Sequence, residues 1–219
     1  MNKFLLVTLL LLPIFGFTQT SYDLPDGTRM QAYLAIPNDF VDGGAPLAII
    51  MGGGSGDDRI ASSTFESLGQ ELVARGWAVA TPVSPNGQSF FAENGEKVRQ
   101  LITLIKARGD IADGSVLLGG ISNGGISSLQ IASSHPDEYL GVVAVPAIAN
   151  SSSVSNLNDF PVFLRIGSED RLGWASRYES TVSALESAGA QVNALLVEGG
   201  GHRVPIDWDN LEQWLETVK

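Results

Sequence analysis

The 219-residue chain has no cysteine, only two histidines, and 13 basic residues against 24 acidic ones. Without cysteine there can be no disulfide, so stability must come from a packed apolar core. A formal net charge of -11 argues against nucleic acid and anionic membrane surfaces as partners, and describes a well-solvated acidic surface. With two histidines, any chemistry needing an imidazole base has only His135 and His202 to draw on.

Long apolar runs are also scarce. The one near the start, Phe4 to Phe15, follows Lys3 and precedes small and polar residues from Gly16 to Thr20. It is short for a bilayer span and reads as a secretory signal peptide over residues 1–19; a retained anchor is the rival, because no A-x-A site is present. No later stretch has the length of a transmembrane helix. The expectation is one domain over residues 20–219, secreted or periplasmic, with a charge of about -12 once Lys3 is removed.

Alternation of two kinds of segment fills that domain. Pro25-Asp26-Gly27 lies between two extendable stretches and suggests an opening hairpin. "PLAIIM" (46–51), "WAVATPV" (77–83), "SVLLGGI" (115–121), "LGVVAV" (140–145), "PVFLRIG" (161–167) and "VNALLV" (192–197) read as strands buried on both faces. Between them, helical stripes recur at Phe65, Leu68, Leu72 and Val73; at Val98, Leu101, Ile102 and Ile105; at Tyr178, Val182 and Leu185; and at Leu211, Trp214, Leu215 and Val218. This order predicts an α/β fold: a three-layer α/β/α sandwich around a mostly parallel sheet, with ligands beyond the carboxyl ends of the strands. The polar stretch "NSSSVSNLND" (150–159) reads as a loop between two strands.

At one such strand end, Gly120-Ile121-Ser122-Asn123-Gly124 fits G-x-S-x-G, directly before a segment with helix potential. A serine forced into a sharp strand-to-helix turn needs flanking residues without bulk, and the helix start favours developing negative charge. Alone the motif is ambiguous, since a plain turn uses the same residues. A serine hydroxyl also needs a base to take its proton. His135 falls at the far end of the helix that Ser122 would begin; His202, in "EGGGHRVP", follows the last strand on the same sheet edge as Ser122. An imidazole in turn needs an anion, and "IGSEDRL" (166–172) supplies Asp170, with Glu169 as the alternative. Oxyanion donors are expected from the N–H of Asn123 and from the "MGGGSGDDR" loop (51–59), where Gly53 is favoured and Gly52 is next. That glycine loop lacks the G-K-[ST] ending of a phosphate cradle.

These segments resemble the α/β-hydrolase fold family, and its small dienelactone hydrolase-like and carboxylesterase-like members in particular. "DGTRMQAYLAIP" looks like the family's opening strands, "IIMGGGSGDDR" its oxyanion loop, "GISNG" its nucleophile elbow, "IGSEDRL" its acid loop and "GGGH" its histidine loop. The resemblance implies Ser122 as nucleophile, His202 as general acid and base, Asp170 as its orienting anion, and Gly53 with Asn123 as oxyanion donors. It implies an acyl-enzyme route on a small-molecule acyl ester, with no cofactor and no metal. Two departures stand out: Met51 occupies the place where many relatives have histidine, and the cysteine nucleophile of dienelactone hydrolases proper is absent. Between Val145 and Pro161 there is room only for a loop, so no large cap domain is expected and the site should be open. Phe90, Phe91 and Trp174 are candidates for its walls. Amide or peptide cleavage, and a non-catalytic binding protein of the same fold, stay open beside ester hydrolysis.

Overall fold

Strands buried on both faces need helices above and below them, and the chain supplies both. The computed structural model describes residues 17–38, 40 and 43–218. The expected leader lies outside these residues up to position 16, and its last two positions are already paired in the first strand. There, β1 (Thr18–Asp23) sets Thr18 opposite Leu34 and Gln19 opposite Tyr33 of β2 (Arg29–Ala35), across the Pro25-Asp26-Gly27 turn. Next come β3 (Leu47–Met51), β4 (Ala78–Pro82), β5 (Val116–Gly120), β6 (Tyr139–Ala144), β7 (Pro161–Gly167) and β8 (Gln191–Val197). They form one sheet in the order β1-β2-β4-β3-β5-β6-β7-β8, antiparallel at β1, β2 and β4 and parallel from β4 onward.

Alternate residues of the central strands feed two apolar layers. Leu47, Ile49 and Met51 of β3 pack with α3 (Glu93–Lys106), α4 (Asn123–Ser134) and α5 (Tyr178–Ser187), through Leu101, Leu129 and Leu185 among others. Ala48 and Ile50 face the other way, onto α1 (Asp58–Thr64), α2 (Gln70–Ala74) and α6 (Trp208–Val218). The stripe read from Phe65 to Val73 is not one regular helix. A π-helical turn over Phe65–Gly69 joins α1 to α2, and such turns recur beside functional sites.

Two expectations give way here. β8 is not buried on both faces: Gln191, Asn193 and Leu195 are exposed, because β8 has a neighbour only in β7 and ends the sheet. The segment around 150–159 is more than a polar loop, since it buries Val154 and Leu157 and is clipped to the end of α5 by Leu157 N–H to Ala188 O (3.0 Å) and Asp159 N–H to Gly189 O (2.9 Å). Among the described residues no cap domain is inserted, and the carboxyl edge of the sheet stays open.

β7 carries a buried cation. Arg165 is 3% exposed, with its guanidinium 3.6 Å over the Phe163 ring. It donates to the carbonyls of Leu164 and Asn193 and to the side-chain oxygens of Asn193 and Asn210, tying β7 to β8 and to the first turn of α6. Burial pushes its pKa down from the ordinary arginine value, yet guanidinium remains charged throughout the working range.

Candidate active site

The turn from β5 into α4 is built on close backbone approach. A Cβ on Gly120 would sit 2.4 Å from the Gly124 carbonyl carbon, and one on Gly124 would sit 2.0 Å from Met51 O. Only glycine fits at either position, so the bulk restriction read from G-x-S-x-G is a packing fact. Ser122 itself takes φ 58° and ψ -121°, a conformation costing a non-glycine residue about 1–3 kcal/mol. The surroundings hold it there: its N–H donates to Pro146 O at 2.8 Å, and its carbonyl accepts from Ile126 N–H at 3.0 Å in the first turn of α4. The hydroxyl is thus presented above the carboxyl end of β5, at the positive end of a helix.

Gly167 and Gly200 bring the next two strand ends together. A Cβ on Gly167 would lie 2.1 Å from Gly200 O, so the loops after β7 and β8 are in direct backbone contact. They are laced by Ser168 N–H to Val197 O (2.9 Å), Glu169 N–H to Gly200 O (2.8 Å) and Gly199 N–H to Ser168 Oγ (2.9 Å). Across this junction Asp170 faces His202, while Glu169 is exposed to solvent.

The Asp170 side chain is 0% exposed and that of His202 27% exposed. An ionised carboxylate can only accept, so His202 Nδ1–H donates to Asp170 Oδ2 at 2.8 Å. Nε2 is then the acceptor for the Ser122 Oγ–H, at 2.9 Å. The second Asp170 oxygen accepts from Leu172 N–H at 2.8 Å, which fixes the carboxylate plane. Trp174 meets the imidazole edge-on, ring centroids 4.8 Å apart at 84°. A hydroxyl, an imidazole and a buried carboxylate in this line can move a proton from oxygen to nitrogen and stabilise the resulting imidazolium.

Two backbone N–H groups belong to residues beside Ser122. A Cβ on Gly53 would stand 3.0 Å from Ser122 Cβ, so the glycine loop after β3 is pressed against the serine. Among the described residues the N–H groups of Gly53 and Asn123 have no protein acceptor. The Asn123 side chain donates to Gly54 O at 3.0 Å, bracing that loop against α4. Gly52 is packed instead beneath α1, where its Cβ would lie 2.8 Å from Ile60 Cγ2. Met51, in place of histidine, is fully buried in β3, and its carbonyl accepts from Ile121 N–H at 3.1 Å.

Ser122 and His202 open into a cleft of about 500 Å³ walled by Ile60, Leu68, Leu172, Val204, Ile206 and Trp208. These are not the aromatic residues expected. Phe90 is 1% exposed and packs under Gly56 in the core, Phe91 does not line the cleft, and Trp174 lies behind His202. A signal for the real wall was present in "RVPIDW" (203–208), where apolar residues alternate immediately after His202 and alternate in burial as well. His135 caps the far end of α4 and lies beside Glu138, away from the cleft.

Known proteins share this architecture. The thermostable esterase is 16% identical with a TM-score of 0.73, over 91% of this chain and 62% of its own. Est1E from Butyrivibrio proteoclasticus is 16% identical with a TM-score of 0.65, over 91% and 96%. The dipeptidyl peptidase 4 of Porphyromonas gingivalis is 13% identical with a TM-score of 0.69, over 93% and 35%. The chain therefore spans less than two thirds of the esterase and about a third of the peptidase, and at such identities the likeness is one of fold. No curated protein matches the sequence. A family profile does, over residues 73–216, about two thirds of the chain and including Ser122, Asp170 and His202. With the sheet order and helix layers already described, that match makes the chain a member of the phospholipase/carboxylesterase family of α/β-hydrolase fold.

Proposed function

We propose that this hydrolase cleaves carboxylic esters through an acyl-enzyme, with Ser122 as nucleophile, His202 as general base and acid, and Asp170 as the orienting anion. The observation that carries the reading is the line of hydrogen bonds from Ser122 Oγ to His202 Nε2 (2.9 Å) and from His202 Nδ1 to the buried Asp170 carboxylate (2.8 Å). Ser122 Oγ attacks the acyl carbonyl as its proton passes to Nε2; the oxyanion is received by the N–H groups of Gly53 and Asn123. The carbonyl re-forms, the C–O bond to the leaving alcohol breaks, and that oxygen takes the proton from His202. Water then enters, His202 removes its proton, and the acid is released with Ser122 restored.

An ester substrate suits an apolar cleft that the sheet edge leaves open, and we assign the protein to an exported location on its leader-like start. Among the described residues no helix is long and apolar enough to cross a membrane. A fluorophosphonate should label Ser122, and short p-nitrophenyl esters should be turned over, both abolished in Ser122→Ala. Undiminished labelling of that variant would overturn the assignment. Matched ester and anilide substrates separate ester from amide cleavage, and a folded protein that takes no label would be a binding protein of this fold.

A further inference from the structure

Ion pairing on this surface is uneven. Arg29, Arg75, Arg99 and Arg108 each close on a carboxylate within 3.5 Å. Among the described residues the exposed arginines without an ion pair are Arg59, Arg171, Arg177 and Arg203, and of these Arg203 lines the cleft. It stands there directly after His202 and before the wall residues Val204 and Ile206.

Three acids of the adjoining segments already hold hydrogen bonds. Asp57 caps α1 through Ile60 N–H and accepts from Ser55 Oγ, contacts that, with Arg59, hold its carboxyl below the ordinary value. Asp58 accepts from Tyr33 Oη and Gln19, and Asp207 caps α6 through Asn210 N–H. Among the described residues Arg203 has no ion pair, and an apolar-walled cleft strengthens its field at the mouth.

We propose that Arg203 selects esters whose leaving alcohol carries an anionic group. The inference rests on the serine-hydrolase reading above. Its direction follows from that chemistry: the leaving oxygen must reach His202 Nε2, so the leaving group lies on the His202 side of the cleft, where Arg203 is the next residue. A guanidinium fork matches carboxylate or phosphate oxygens and sets which alcohols dwell there.

The test compares 3-carboxyphenyl butyrate with its neutral counterpart, 3-carbamoylphenyl butyrate, following release of the phenol by chromatography. The parent should prefer the carboxylate by about tenfold in kcat/KM at low ionic strength, mostly through KM, and the preference should shrink as salt shortens the screening length. Arg203→Gln should bring the ratio close to one, and Arg203→Lys should retain an intermediate ratio, keeping the charge but losing the fork. A phosphonate in place of the carboxylate, as 3-phosphonophenyl butyrate, should likewise be preferred to the carbamoyl ester, and Arg203→Gln should remove that preference. An unchanged ratio in Arg203→Gln would overturn the proposal. So would a preference for p-nitrophenyl hemisuccinate over p-nitrophenyl butyrate that Arg203→Gln removes, since it would put the anion on the acyl side. Equal turnover of charged and neutral esters would sink this inference alone, whereas absence of both turnover and Ser122 labelling would remove the hydrolase reading beneath it.

Discussion

Replacing Gly124 by alanine tests whether the serine turn depends on backbone contact. The added methyl would lie 2.0 Å from Met51 O, 2.5 Å from Met51 C and 2.7 Å from Gly52 O. All three are main-chain atoms, so no side-chain rotation relieves the clash. An ordinary contact begins near 3.4 Å, and α4 would have to withdraw from the end of β3 by roughly 1.4 Å. That movement strains the Ile121 N–H bond to Met51 O (3.1 Å) and carries Ser122 away from His202 and Gly53. Overpacking of this kind costs about 1–3 kcal/mol, and a lost hydrogen bond adds about 1 kcal/mol. For a chain of this size the sum should lower the melting temperature by roughly 5–15 °C. A displacement of about 1 Å should also slow fluorophosphonate labelling about 100-fold. Gly114→Ala is the control, since its Cβ meets nothing within 4 Å and its backbone is not left-handed; it should unfold no lower than the parent. Parental labelling and melting temperature in Gly124→Ala would refute the argument that close approach builds the turn.

Four further outcomes follow from the same geometry. Because Ser122 sits at φ 58°, Ser122→Gly should unfold several degrees above Ser122→Ala, by about 1 kcal/mol after the unfolded-state entropy of glycine is set against the relieved strain; calorimetry on the two inactive variants checks it. Asp170→Asn should lower kcat by about 10⁴ by removing the anion that holds the imidazole tautomer, while Glu169→Gln, exposed and turned away, should leave kcat near the parental value in p-nitrophenyl ester assays. Leu172 is 63% exposed at the cleft rim, so Leu172→Ala should leave the melting temperature in place and cut kcat/KM for longer acyl chains by about 5–30-fold relative to acetate esters. A chain beginning at Thr20 should melt several degrees below one beginning at Phe17, since it loses the Phe17 ring contacts with Phe65 (4.8 Å) and Tyr33 (5.7 Å), two β1 pairs and the Gln19 bond to Asp58, together about 1–3 kcal/mol.

The strand-and-helix alternation was legible because period and burial coincide in a doubly covered sheet: a run such as "PLAIIM" has no polar face to offer. It failed at β8 for the same reason in reverse. Whether an apolar run is central or at an edge depends on which strands flank it, and "VNALLV" carries no mark of having one neighbour. Arg165 is a further case. "PVFLRIG" reads as a doubly buried strand and is one, but it does not tell what holds its charge: Asn193 and Asn210, 28 and 45 residues further on, supply the acceptors.

At the site, positions at strand ends could be read, whereas directions could not. Ser122, Asp170 and His202 each follow an apolar run, so topology alone brings them to one edge. Which of Glu169 and Asp170 turns inward is set by loop contacts, Glu169 N–H on Gly200 O and Leu172 N–H on Asp170 Oδ1, and both carboxylates would satisfy the same sequence pattern. Aromatic content is a poor guide to the cleft walls, because Phe90 packs into the core beneath Gly56. What links readable to unreadable parts is the glycines that meet another backbone. Gly124 against Met51, Gly53 against Ser122 and Gly167 against Gly200 are three contacts between separate strand ends, and none leaves room for a Cβ. Each of these glycines looks in the sequence like a local turn; in the fold each sets the distance between two functional loops. A side chain at any of the three would act on the spacing of Ser122, His202 and the oxyanion donors before it acted on the turn, so activity should respond to these positions more steeply than stability does.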